Sequence, residues 1–197
     1  MRARIAERSR RTRETSVDVR LDLDGSGTAE VMTGLPFFDH MLDQLGRHGG
    51  FDLSVRAEGD LAVDAHHTVE DTGLVVGEAL AEALGDKAGV RRFASGLFPL
   101  DEALVEVALD LSGRPHLAWA VDAGEVPLGD PPFDPRLAEH FWGSLVTKAG
   151  ITLHVSTRAG SHPHHVIEAA FKGVARCLRD AVRVDGGAGV PSTKGVL

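Results

Sequence analysis

Two stretches of the chain offer the same metal-ligating side chains in the same order. His66-His67-Thr68-Val69-Glu70 and His164-His165-Val166-Ile167-Glu168 each set two adjacent histidines ahead of a glutamate. Each also has a lone histidine upstream: His40 lies 26 residues before His66, and His140 lies 24 before His164. Neutral imidazole and carboxylate are natural donors for borderline divalent cations. A set without thiolate argues against structural zinc and for manganese, iron, cobalt or catalytic zinc. On a helix, residues three and four apart share a face, so either histidine of a pair can act with its glutamate. The two neighbours themselves diverge by roughly 100° at 3.6 residues per turn. They therefore serve two ions, or one ion and a second subunit, more readily than they chelate one. A single His-x-x-Glu pair on a helix is most often a solvated surface pair. Two copies at matched spacing instead predict a duplicated half that carries two metal sites. His48, His116, His154 and His162 lack such company, and His154, which alternates with apolar neighbours, is expected to be a buried, hydrogen-bonded histidine.

A second chemical signal lies near the C-terminal end. Pro191-Ser192-Thr193-Lys194-Gly195 combines hydroxyls, an ammonium and a glycine that admits close backbone approach, a set that suits phosphate. Alone, the motif also reads as a flexible terminus. Arg92, Arg114 and Lys172 are further cationic candidates, although an isolated arginine is usually just solvated.

Such groups need elements to position them. Arg4–Arg8 alternates weakly, and Val17–Leu23 alternates cleanly as a strand. Asp24-Gly25-Ser26-Gly27 predicts a turn into Thr28–Thr33 and hence a hairpin. Pro36 can open a helix over Phe37–His48, ended by Gly49-Gly50 and followed by a strand over Phe51–Ala57. His66–Leu84 reads as an amphipathic helix closed by Gly85. The plan then recurs: strands over Leu104–Leu111 and His116–Val121, an exposed loop over Asp122–Pro135, a helix over Leu137–Ala149, a strand over Ile151–Val155 and a long helix over His164–Val184. Strand, strand, helix, strand, helix thus appears twice. This predicts an α+β fold of duplicated half-domains, with an antiparallel or mixed sheet covered by helices on one face. The pseudo-repeats run roughly 1–90 and 91–185 within one domain of residues 1–197, with a tail over 186–197.

At 197 residues and 43% apolar, the chain can bury one ordinary core. It has no apolar run long enough to span a membrane and no signal-peptide stretch, and its single cysteine, Cys177, reads as a small core residue. These features predict a cytoplasmic protein. The net charge of −8 argues against a general nucleic-acid binder. The arginine-rich residues 1–13 are read as an edge strand with solvated arginines in preference to a nucleic-acid arm.

Long motifs in this sequence resemble those of the imidazoleglycerol-phosphate dehydratases. They are Arg13-Glu14-Thr15, Phe38-Asp39-His40-Met41-Leu42 with Arg47-His48-Gly49, Asp64 through Asp71, Pro99 through Leu104, Ser112-Gly113-Arg114-Pro115, Thr152-Leu153-His154, His164 through Lys172, and Pro191 through Gly195. They run essentially end to end. The resemblance implies a ribosomal-protein-S5-domain-2-like duplicated fold, two manganese ions per active site, and a 24-subunit particle with active sites assembled between subunits. The implied reaction is a metal-dependent lyase step of histidine biosynthesis, dehydrating D-erythro-imidazole-glycerol phosphate to imidazole-acetol phosphate. By that likeness His40, His66, His67, Glu70, His140, His164, His165 and Glu168 are the metal ligands. Glu14 joins His67, Glu70, His165 and Glu168 as a catalytic residue, and Arg92, Arg114, Lys172, Ser192 and Lys194 bind phosphate. The implied path has the ring lose its N–H as a metal-bound imidazolate, expel the neighbouring hydroxyl through a diazafulvene-like state, and reach the ketone by way of the enol. Three features depart from the pattern: Ala94 follows Arg92-Phe93 where glycine is usual, Leu100 replaces methionine, and His162 precedes the second histidine pair. Arg91 competes with Arg92 for the phosphate role.

Two other classes fit parts of the sequence. A two-metal phosphohydrolase would also pair metals with a phosphate site, but such enzymes favour aspartate-rich ligand sets. A metal-stapled assembly protein would use the histidines but leave the lysine and hydroxyls of the tail unexplained.

Overall fold

A computed structural model describes residues 3–186, 189–195 and 197 of the chain. The first half comprises β1 (Ile5–Arg11), β2 (Thr15–Asp22), β3 (Ala29–Met32), α1 (Pro36–Gly49), β4 (Asp52–Gly59) and α2 (His66–Leu84). The second comprises β5 (Phe93–Leu100), β6 (Ala103–Asp110), β7 (His116–Ala120), α3 (Leu137–Ala149), β8 (Thr152–Ala159) and α4 (Pro163–Ala181). Each half forms a four-stranded mixed sheet, ordered β1-β2-β4-β3 and β5-β6-β8-β7. In each, the third strand runs parallel to the fourth, and a helix makes the crossover between them.

The duplicated α+β layout is as the sequence predicts, with differences of detail. Three strands precede the first helix of each half, because β5 is a strand too. Its sequence hides this: Phe93, Ser95, Leu97 and Pro99 occupy its exposed side, so large apolar residues stand where alternation would put polar ones. The hairpin is β1–β2, with Arg11 opposite Ser16, and not β2–β3. The turn at Asp24–Gly27 instead docks onto the Asp52 carboxylate, which accepts the N–H groups of Ser26 and Thr28 at 2.8 and 3.0 Å. The last helix stops at Ala181, and Val184 forms an isolated bridge with Val90. Within Asp122–Pro135, Phe133 is fully buried and stacks on Phe38 at 5.8 Å, which pins an otherwise largely exposed loop.

Local chemistry accounts for the helix ends. Proline stands in the first turn of α1 and α4, where its missing N–H costs no hydrogen bond. Gly50 (φ 70°) and Gly150 (φ 62°) close α1 and α3 in the left-handed conformation that favours glycine. Each sheet carries helices on one face. The helical layers meet where α2 packs on α3 and α1 on α4. Gly73 and Gly77 bring α2 very close to α3: a Cβ at either would sit 2.5 Å from the carbonyl oxygen of Phe141 or Leu145.

The arginines of β1 are edge-strand residues, most of them paired with acids. Arg8, Arg10 and Arg11 reach Glu82, Asp71 and Asp18, and Arg4, just ahead of the strand, reaches Asp24, while Arg2 lies outside the described residues. His154 is exposed, contrary to expectation, because Leu153 and Val155 take the inward positions of β8. Cys177 is buried as expected, and burial pushes its thiol up to about 12. No helix among the described residues is long and apolar enough to cross a membrane.

Candidate active site

The lone histidines exchange partners between halves. His40, on α1 of the first half, lies against α4 of the second: its Nε2 is 3.3 Å from Glu168 Oε2, and His164 Nε2 is 2.9 Å from the same oxygen. One ligand atom from each of these three residues lies within 4.8 Å of the others, as coordination of a single cation requires. The mirrored trio combines His140 of α3 with His66 and Glu70 of α2. It is looser at the carboxylate, with Glu70 Oε2 3.9 Å from His66 Nε2, while the His66 and His140 rings lie 4.6 Å apart by centroid. A cavity of about 590 Å³ opens beside it, lined by Leu35, Leu61, Val63, Leu137, His66 and His140 among others. The exchange follows from the packing of α1 on α4 and of α2 on α3.

The second histidine of each pair turns away from its trio, as 100° per residue requires. His67 Nδ1 faces Asp60 at 3.1 Å and Glu14 at 3.9 Å. His165 Nδ1 faces Glu102 at 2.7 Å. Hydrogen bonds donated to the Asp60 and Glu102 carboxylates raise the proton affinity of His67 and His165. In return, His165 and the neighbouring backbone N–H groups hold the Glu102 carboxyl at about 2. Glu168 is buried, which by itself favours its neutral acid. The Lys172 ammonium at 2.6 Å, together with His164 and His40, outweighs this and keeps its pKa below the ordinary value. Its partners thus favour the anionic form that a metal needs. The donor set is imidazole and carboxylate throughout, so the residues present fit a hard-to-borderline divalent ion.

Four of the phosphate candidates converge. Arg92, Arg114, Ser192 and Lys194 line one open cavity of about 520 Å³ together with Pro191, Thr193 and Leu197. Arg92 has a left-handed backbone (φ 76°) and grips Asp110 through Nε at 2.7 Å and Nη2 at 3.1 Å, while Nη1 donates to the Pro191 carbonyl at 2.7 Å. Arg92 thereby ties the tail to β6, and two of its five N–H donors remain for an anion. Arg91 lines a different cavity, on the outer side of the second sheet. Lys172 does not line this cavity; its ammonium is committed to Glu168. Residues 187, 188 and 196 of the tail lie outside the described residues.

Sequence reasoning gave no role to Asp60, Glu102 or Asp110, which hold His67, His165 and Arg92. It also missed Asp71, which is buried and accepts from the Thr15 hydroxyl and, at 2.8 Å, from the Arg10 guanidinium. The signal available was positional: Glu14 and Glu102 each stand immediately before a strand of the same pattern.

Fold and site together define a duplicated α+β enzyme with one tight and one looser histidine–carboxylate cluster and a separate cationic cavity. A sequence model of the imidazoleglycerol-phosphate dehydratases matches residues 33–178. The dehydratase of Acidothermus cellulolyticus is 57% identical over 98% of this chain and 93% of its own, and that of Paracoccus denitrificans is 55% identical over 98% and 100%. Crystal structures of the Staphylococcus aureus and Pyrococcus furiosus dehydratases superpose with TM-scores of 0.82 and 0.83 at 33% and 35% identity, covering 91% and 96% of this chain and 99% and 100% of theirs. The chain belongs to the imidazoleglycerol-phosphate dehydratase family, whose members are hydro-lyases.

Proposed function

We propose that the protein converts D-erythro-imidazole-glycerol phosphate to imidazole-acetol phosphate in histidine biosynthesis, using two manganese ions per active site. The observation that carries the metal reading is the convergence of His40, His164 and Glu168 within 4.8 Å, from helices of opposite halves. These three would hold one ion, and His66, Glu70 and His140 the other. His67 and His165 face outward and would complete clusters on neighbouring copies. That arrangement favours active sites shared between subunits, in an assembly read as a 24-mer.

When bound, manganese supplies Lewis acidity that eases loss of the substrate ring's N–H proton. The chain's own residues do the rest. The reaction removes a hydroxyl and a side-chain proton as water, leaving an enol that becomes the ketone. No carbonyl acidifies that C–H, so a carboxylate must be poised beside it. Glu14 is suited to this: its side chain is half exposed, and its Oε2 lies 3.9 Å from His67 Nδ1. Arg92, Arg114, Ser192 and Lys194 take the phosphate dianion through charge-assisted hydrogen bonds. Holding the phosphate fixes the ring and the reacting carbons relative to Glu14. Lys172, committed to Glu168 in the single chain, would reach that phosphate only through assembly with another copy.

The test is turnover by metal-stripped protein with and without added manganese, measuring imidazole-acetol phosphate and free phosphate. Ketone formed only with manganese is the expected result. Ketone formed without metal would remove the metal from the reaction, and free phosphate would replace dehydration with hydrolysis.

A further inference from the structure

The two halves place a glutamate at the same station and use it differently. Glu14 immediately precedes β2, and Glu102 immediately precedes β6. Both strands alternate buried and partly exposed residues in the same pattern, and both hold the second place in their sheets. Each glutamate faces the outward histidine of its half, but at unequal range: Glu14 is 3.9 Å from His67 Nδ1, whereas Glu102 is 2.7 Å from His165 Nδ1. The station after the fourth strand shows the opposite bias. Asp60 follows β4 and brings its carboxylate to 3.1 Å from His67 Nδ1, while Gly160 follows β8 and offers no side chain. Gly160 has little room to acquire one, since its φ is 120° and an added Cβ would lie 2.8 Å from Ala103 Cα.

We propose that Glu102 is a positioning residue for His165, doing in the second half what Asp60 does for His67 in the first, and that Asp60 thereby leaves Glu14 free for chemistry. This rests on the reading of His67 and His165 as metal ligands. A carboxylate on Nδ1 fixes the tautomer that carries its proton there and leaves the Nε2 lone pair directed outward. The Glu102 carboxylate is itself held at both oxygens: Oε2 meets His165, and Oε1 accepts the backbone N–H of His162 at 3.0 Å. The His162 ring stacks on His165 with centroids 4.4 Å apart and planes 28° apart, bracing the imidazole from its face. The Glu14 carboxylate makes no hydrogen bond among the described residues. The duplication has therefore diverged into one glutamate bound to its histidine and one released from it.

The test is manganese uptake by full-length, metal-stripped protein in equilibrium dialysis, comparing wild type with Glu102→Ala, Glu102→Gln and Glu14→Ala. Losing an outer carboxylate of this kind weakens metal binding by roughly 10- to 100-fold, and that loss is expected for Glu102→Ala at one class of site. Glu102→Gln keeps an oxygen that accepts from Nδ1–H and should bind far more tightly than Glu102→Ala. Glu14→Ala should bind as wild type does. Glu102 lies on a partly exposed turn, so melting of the metal-free variants should match wild type and separate positioning from misfolding. Undiminished uptake by Glu102→Ala, or an equal loss in Glu14→Ala, would overturn the proposal while leaving the metal sites standing. A wild type that takes up no manganese would overturn the metal reading, and this proposal with it.

Discussion

His40 and Glu168 stand 128 residues apart in the chain and 3.3 Å apart in the fold. Neither half owns a complete histidine–carboxylate trio, because each lone histidine packs against the other half's helix. Removing one carboxylate should therefore empty one cluster and spare its mirror. Glu168→Gln is expected to lower bound manganese from about two ions per chain to about one, as read by metal analysis after gel filtration. Loss of both ions, or of neither, would contradict independent clusters.

Glu14 touches no trio in its own chain, so its loss should affect chemistry more than metal content. Glu14→Gln is expected to keep wild-type manganese and lose roughly 10²- to 10⁴-fold in kcat, the usual range for a proton-transferring group. Unchanged turnover with intact metal would remove Glu14 from the reaction.

The cationic cavity near the tail makes a complementary prediction. Lys194 lies with Arg92, Arg114 and Ser192 and away from both trios. Lys194→Met should raise KM by roughly 10- to 100-fold, in line with about 1.5–3 kcal/mol for a charged hydrogen bond, and leave manganese affinity unchanged. A parallel loss of metal would show that the tail serves the ligand clusters as well.

Helix contact supports the second trio. A Cβ at Gly73 would meet the Phe141 carbonyl oxygen at 2.5 Å, and backbone cannot yield as a flexible side chain does. Gly73→Ala should push α2 from α3 and destabilise the fold by about 1–3 kcal/mol, measured by denaturant unfolding. Spreading these helices should also loosen the pairing of His66 with His140. A neutral or stabilising effect would contradict the close approach.

Much of this was legible in sequence. The bounds of α2 and α3 follow from period-3.6 patterns and their glycine caps, and the doubled His-His-x-x-Glu spacing marks the residues that gather in the two histidine–glutamate clusters. Four features were hidden for physical reasons. β5 shows its large apolar residues to the exposed side, which defeats alternation. The exchange of His40 and His140 is a long-range packing result, and local spacing leaves open how the eight candidates divide between two clusters. Lys172 follows Glu168 by one helical turn, so its sequence context cannot tell a phosphate ligand from a partner of that carboxylate, and in the fold it bonds the carboxylate. Asp60 and Glu102 were missed because carboxylates just outside strand ends carry no spacing rule of their own.

The most direct test is an anomalous difference map at the manganese edge from crystals of the metal-loaded protein. The account predicts one peak among His40, His164 and Glu168 and a second among His66, Glu70 and His140, with the outward ring of His67 or His165 from a neighbouring copy completing each. Peaks elsewhere, or trios that remain empty in an enzyme that turns over, would contradict it.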